Sequence, residues 1–381
     1  MVTLDKNKLP SVTFACGPAQ GLKTVRESIL AKTCFERSHR AADMSFDGLY
    51  KETEDRLRDL LTIPNDYTVL FFPGGATAAM EAVLWSLTDG KISGIQMGAF
   101  SNLWCDTLAS RAPSREQDFW CTELIPNKLP DLSASLVLLT PNETSTGVQL
   151  PDAFLEETWN GRSDDTLIAW DTTSCAGGRV LPPEMYDVQL FGLQKCFACG
   201  GGTCVLILSP KAVARANKMT RQRTIPYFLD LSSAISFAAK KHQPLNTPST
   251  TNIWMCNEAC KFIQTHGGIS AMENLCRAHA DYLVNWAEKS GWCKPLVEDA
   301  RFRSFTTLTL QITDPQITDT QINDALFQTG FPHLKDGLKK YRTLKQNSLR
   351  VACFPFVDTD GVEEYKKLTD ALDEIARQLK K

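Results

Sequence analysis

Apolar and polar positions alternate in blocks along the first two-thirds of the chain. Short β-branched or apolar runs, YTVLFF (67–72), ISGIQMGAF (92–100), ASLVLLT (134–140), DTLIAWD (165–171), YDVQLFG (186–192) and GTCVLIL (202–208), read as buried strands. Stretches of helical spacing separate them, as in PGGATAAMEAVLWSL, where a glycine turn opens a helix. Strand and helix alternating in this way predict an α/β fold with a large, mostly parallel sheet. After about Thr251 the texture changes to two long helical patterns, then strand-like SFTTLTLQI, a short helix, strand-like LRVACF and a terminal helix. In that last helix Val362, Tyr365, Leu368, Leu372, Ile375 and Leu379 recur at steps of three and four, a core-facing stripe. The pattern therefore predicts two domains: a large one over 1–255, including an N-terminal arm, and a smaller C-terminal α+β domain over 256–381.

Composition narrows the function classes. The 381 residues are 43% hydrophobic and 22% charged, enough for a sizeable core. A formal charge of −3 gives no general attraction to nucleic acid or to an anionic membrane, so neither is expected as a partner. No apolar run reaches the roughly 18 residues of a membrane span, and the N-terminal MVTLDKNKLPSVTF lacks a signal-peptide core, so a cytoplasmic location is expected. The thirteen cysteines are odd in number and irregularly spaced, which suits reduced, buried thiols better than a disulfide framework. Cys196, Cys199 and Cys204 cluster, but no second Cys/His pair completes a zinc site, and no metal is expected.

Chemistry is expected where strands end, because ligands of open α/β sheets gather at carboxyl ends. After LFF, Gly74-Gly75-Ala76-Thr77 opens a helix, whose free N–H groups and dipole favour a phosphate. It matches neither a P-loop nor a GxGxxG fingerprint. After DTLIAW stands Asp171, a carboxylate that needs a cation or several donors in such a setting, and that could also be a simple turn cap. Lys195 ends the next strand. A phosphate cradle, a buried carboxylate and a strand-end lysine on one sheet edge are what pyridoxal phosphate requires: lysine for the imine, carboxylate for the pyridine nitrogen, turn for the phosphate.

Taken in order, FACGPAQ, SHR (38–40), PGGAT, GAFS, NETSTGV, WDTTSCAGG, GLQK with its following glycines, NTPSTTN from Asn246 and YRTLKQNSLRVACF run over almost the whole chain. Through them the sequence resembles class V, fold-type I pyridoxal-phosphate-dependent aminotransferases, and within these the phosphoserine aminotransferase subfamily. The resemblance implies that Lys195 is the covalent anchor and proton shuttle and that Asp171 pairs with the ring nitrogen. It implies that Thr144 bonds the phenolic oxygen, that Phe100 stacks on the ring where many relatives have tryptophan, and that Ala76, Thr77 and Gln194 hold the phosphate. It also implies a homodimer with shared active sites, Asn246 and Thr247 reaching the partner's cofactor phosphate. For the substrates, 3-phosphohydroxypyruvate and L-glutamate giving phosphoserine and 2-oxoglutarate in serine biosynthesis, it implies that His39 and Arg40 bind the phosphate and Arg350 the α-carboxylate. Arg342, in a Tyr-Arg pair where some relatives have His-Arg at another spacing, is the remaining substrate candidate. An alanine–glyoxylate type of class V aminotransferase stays open as an alternative, as does a non-catalytic metal-binding or regulatory module with an inert Lys195.

Overall fold

In a computed structural model of the chain, residues 2–30, 46–114, 116–122, 124–182, 184–241, 244–330 and 337–380 are described. The strands are β1 (Thr68–Pro73), β2 (Ile92–Gln96), β3 (Gln117–Cys121), β4 (Leu136–Leu139), β5 (Asn142–Glu143), β6 (Val148–Gln149), β7 (Leu167–Asp171), β8 (Val188–Gly192), β9 (Thr203–Leu208), β10 (Cys293–Pro295), β11 (Thr307–Ile312) and β12 (Ser348–Ala352). Seven of them form one sheet in the order β1-β9-β8-β7-β4-β2-β3. The sheet is parallel from β8 to β3, while β9 runs against both of its neighbours, β1 and β8. This is the expected α/β architecture with a mostly parallel sheet.

Every strand from β7 to β9 is buried along its whole length, which is why these segments read as continuous apolar runs. Alternate side chains still separate to opposite faces. Val69, Phe71, Val137, Leu139, Ile168, Trp170, Val205 and Ile207 enter one core, and Leu70, Phe72, Leu136, Leu138, Leu167, Ala169, Leu206 and Leu208 the other. Each Val, Leu, Ile or Phe side chain among them contributes about 1.5–3 kcal/mol of burial. The Gly75–Leu87 helix, rich in alanine and buried at Ala79, Met80, Ala82, Val83, Leu84 and Leu87, packs into the second core.

A third core lies at the C-terminal end. The antiparallel sheet β10-β11-β12 is covered by the Gly268–Ser290 and Glu363–Leu379 helices. Tyr365, Leu368, Leu372 and Ile375 of the terminal stripe are buried there, with Val362 and Leu379 at its margin. The expected domain junction at 255/256 lies inside the Thr250–Thr265 helix, whose Ile253, Cys256, Ala259, Cys260 and Ile263 all belong to the first core of the large sheet. Phe14 and Cys16 of the N-terminal segment join the C-terminal core, so this segment crosses between the two units.

Candidate active site

Strand direction brings the chemistry together. β2, β4, β7 and β8 are parallel, and β1 shares their direction because β9 is antiparallel to both β1 and β8, so all five end at one edge. β9 begins at the same edge: Thr203 and Cys204 lie opposite Pro73 and Phe72 on one side, and Cys204 lies opposite Gly192 on the other. A cavity of about 410 Å³ occupies this edge, its wall including Ala76, Thr77, Phe100, Thr144, Asp171, Gln194 and Lys195. Seven residues expected from sequence thus converge on one space.

Lys195 is 6% exposed, and its ammonium donates to the carbonyl of Cys16. Burial lowers its pKa to about 8, helped by the charge of Arg350 and opposed by Cys16 and Asp171. Its Nζ lies 5.5 Å from the centre of the Phe100 ring. Gly17 allows the N-terminal segment this close, since a Cβ there would stand 2.8 Å from Lys195 Cε.

Asp171, at the end of β7, is 4% exposed. Thr173 donates to its Oδ1 through both the backbone N–H (3.0 Å) and the hydroxyl (2.5 Å). Burial nevertheless pushes its pKa up to about 6; the two Thr173 bonds and Lys195 oppose the rise, and the charge of Glu143 adds to it. Thr173 and Asn142, which sequence reasoning gave no separate role, both line the cavity, and the amide oxygen of Asn142 is buried without a partner among the described residues.

At the far side the Gly75–Leu87 helix begins. Gly74 precedes it in a left-handed conformation (φ 86°) with no side-chain cap, so the first-turn N–H groups stay open to the cavity. Gly74 donates instead to Gly202 O at 2.9 Å, joining the turn to the Gly201-Gly202 loop. Gln194 closes this side, its Oε1 buried and unpartnered among the described residues.

Arg350, on β12, is half-buried, its Nε without a partner among the described residues and its guanidinium 5.4 Å from the Tyr341 ring centre. Tyr341 in turn packs on Phe100, with ring centroids 5.2 Å apart. The sequence marks Tyr341 only as the neighbour of Arg342 in the Tyr-Arg pair; its contact with Phe100 joins segments about 240 residues apart and leaves no local signal. Arg342 is exposed and outside the cavity wall. Asn246 and Thr247 are exposed and likewise outside it, Asn246 donating to the Thr247 carbonyl. His39 and Arg40 lie outside the described residues. Cys196, Cys199 and Cys204 are buried free thiols with pKa values pushed well up by burial. No group of three His, Cys, Asp or Glu suited to a metal occurs among the described residues, and no helix among them is long and apolar enough to cross a membrane.

The family model described as Aminotransferase class-V matches residues 26–327. The phosphoserine aminotransferase of Corynebacterium glutamicum (strain R) is 30% identical, the match covering 94% of this chain and 93% of that protein. That of Rhodococcus opacus (strain B4) is 29% identical over 96% of this chain and 95% of its own. Among solved structures, a phosphoserine aminotransferase from Cytophaga hutchinsonii superposes with a TM-score of 0.82 at 24% identity, covering 95% of this chain and 98% of that one. A pyridoxal-phosphate-bound phosphoserine aminotransferase from Trichomonas vaginalis gives a TM-score of 0.72 at 18% identity, covering 97% and 99%.

Proposed function

This chain belongs to the class-V aminotransferase family, and on that premise we propose that it is a pyridoxal-phosphate-dependent phosphoserine aminotransferase. It moves the amino group of L-glutamate to 3-phosphohydroxypyruvate, leaving phosphoserine and 2-oxoglutarate, and we place the reaction in serine biosynthesis in the cytoplasm. The observation that carries this reading is the burial of Lys195 and Asp171 on one cavity that an uncapped helix start also lines.

The residues present fit the cofactor. Gly201 and Gly202 leave open space where side chains would stand, the open N–H groups after Gly74 suit a phosphate, and Gln194 could donate to it only through its amide NH₂, its oxygen and that of Asn142 being buried acceptors left unspent among the described residues. Ala76, Thr77 and Gln194 are assigned to the phosphate, Phe100 to one face of the ring, Thr144 to its phenolic oxygen and Asp171 to its nitrogen. When bound, the protonated pyridine ring supplies an electron sink for the pair left as the substrate's Cα–H bond breaks.

Lys195 then does the proton work at the substrate's Cα. A pKa near 8 lets its amine be neutral in a useful fraction of molecules near neutral pH, where an ordinary lysine would be almost wholly charged. Asp171 holds a proton at the ring nitrogen, and pairing with that cation favours its ionised form against the burial that raises it. Arg350, with an unspent Nε donor, grips the α-carboxylate. His39 and Arg40 are assigned to the substrate phosphate, with Arg342 as an outer contact.

The test is the visible spectrum of the purified protein. A band that shifts on adding glutamate or phosphoserine, and is indifferent to alanine, is expected. A response to alanine without one to phosphoserine would turn the reading to the alanine–glyoxylate type, and a colourless protein that takes up no pyridoxal phosphate would end it. Arg40→Ala should lower kcat/KM for phosphoserine by roughly 10- to 100-fold, the loss of a charge-assisted phosphate contact.

A further inference from the structure

Glu143 is completely buried, and no step described above uses its carboxylate. It accepts five hydrogen bonds. Oε1 takes Ser145 N–H (3.0 Å), Ser145 hydroxyl (2.7 Å) and Phe100 N–H (3.4 Å); Oε2 takes Ser101 N–H (2.9 Å) and Ser101 hydroxyl (2.9 Å). Ser145 Oγ also accepts from Ala99 N–H at 2.8 Å. A carboxylate so buried is tolerated only with such a full set of donors.

These bonds join two cavity walls that chain connectivity leaves independent. One is the Ala99–Asn102 turn after β2, which carries Phe100; the other is the β5 segment, which carries Asn142 and Thr144. The two are in very close contact. A Cβ on Gly98 would stand 2.4 Å from Ser145 Oγ and 2.7 Å from Glu143 Cγ, so only glycine admits the carboxylate here.

We propose that Glu143 is the positioning residue that fixes the Phe100 ring relative to Thr144 and Asp171, by tying the Phe100-Ser101 backbone to its own strand. The inference rests on the pyridoxal phosphate reading above. A glutamine in its place keeps the shape and one acceptor oxygen but turns an NH₂ toward a Ser101 N–H that also donates, so the Phe100 turn loses its hold on one side.

The experiment uses wild type, Glu143→Gln, Phe100→Ala and the double variant, each titrated with pyridoxal phosphate while visible circular dichroism of the bound cofactor is recorded. Glu143→Gln is expected to weaken binding roughly tenfold, as loss of a buried hydrogen-bond pairing does, and to diminish the visible dichroism per bound cofactor. If Glu143 acts through Phe100, the double variant is no weaker than the more affected single variant. Wild-type affinity and dichroism in Glu143→Gln, or single effects that multiply in the double variant, would overturn the proposal while leaving the cofactor reading intact. A wild type that takes up no pyridoxal phosphate removes both together. Should Glu143→Gln fail to fold, Ser145→Ala, which deletes the hydroxyl bridging Glu143 and Ala99, must give the same shift in smaller degree and the same non-additivity with Phe100→Ala; their absence overturns the proposal equally.

Discussion

Lys195 and Asp171 are buried charges whose titrations are displaced toward neutrality from opposite sides, to about 8 and about 6. Between about pH 8 and the ordinary lysine value of 10.5 the unfolded chain binds the Lys195 proton and the folded chain does not, so stability rises with pH there; below pH 8 the full cost of the buried cation is present. In cofactor-free protein Lys195→Met is therefore expected to raise unfolding stability near pH 7 by roughly 3 kcal/mol, a gain that shrinks as pH climbs above 8, while transamination is lost. Asp171→Asn works with the opposite sign: the gain is present above pH 6 and fades as pH falls toward the unfolded carboxylate value of 3.8. Urea unfolding across pH 4 to 10 checks both, and a Lys195→Met protein less stable than wild type at pH 7 would contradict the account. The identities of these two residues were legible because a lysine and an aspartate directly after apolar strands stand out. Tyr341 was not, since its value lies in touching Phe100 and Arg350 across the fold.

At the scale of elements, the helix start at Gly74-Gly75 depends on backbone conformation more than on side chains. Gly74 is left-handed at φ 86°, and a Cβ on it would meet the Ala78 Cβ at 2.6 Å. Gly74→Ala is expected to cost at least about 1–2 kcal/mol from the left-handed conformation alone, with the overlap added, and to weaken pyridoxal phosphate binding by displacing the open N–H groups. Gly202→Ala, left-handed at φ 89° but facing open space, carries the strain without the overlap and should be milder. Denaturation midpoints of the pair check this, since a Cβ at Gly202 would enter the cavity and affect cofactor titration on its own account, and equal losses of midpoint would refute the role of the overlap. The strands were legible from their apolar runs, yet the direction of β9 was not. GTCVLIL is apolar throughout, and a strand buried on both faces looks the same whichever way it runs.

At the scale of the whole molecule, we propose the two-fold homodimer with shared sites that the family resemblance implies: Asn246 and Thr247 are exposed, as are Tyr227 and Phe228 at 61% and 45%, and Phe228 lies beside the Gly74 turn. Two defective chains should then repair one another. A Lys195→Ala chain still lends an intact Asn246 and Thr247, and a chain with both of those changed to alanine still supplies Lys195. Random pairing gives half heterodimers, each with one complete site, so activity should approach about a quarter of wild type. If the double-alanine parent is impaired and isolated heterodimers show no recovery, the loop serves its own chain.

The sequence by itself determined the long buried strands and the helices between them, though not the edge strand β3 or the short β5, β6 and β10, and which chemistry-bearing residues end them, because burial writes its period into local order and strand ends of an α/β sheet share an edge. Lys195, Asp171 and the Gly74-Gly75 turn could be placed from that rule alone, whereas Gln194 came only with the family resemblance. Only the tertiary structure decided what stands between those ends: the Cys16 carbonyl on Lys195, Tyr341 against Phe100, and the Glu143 carboxylate binding the Phe100 turn to β5. Each of these contacts joins residues remote in the chain, and packing and hydrogen-bond partners at such separations leave no periodic trace in a single sequence.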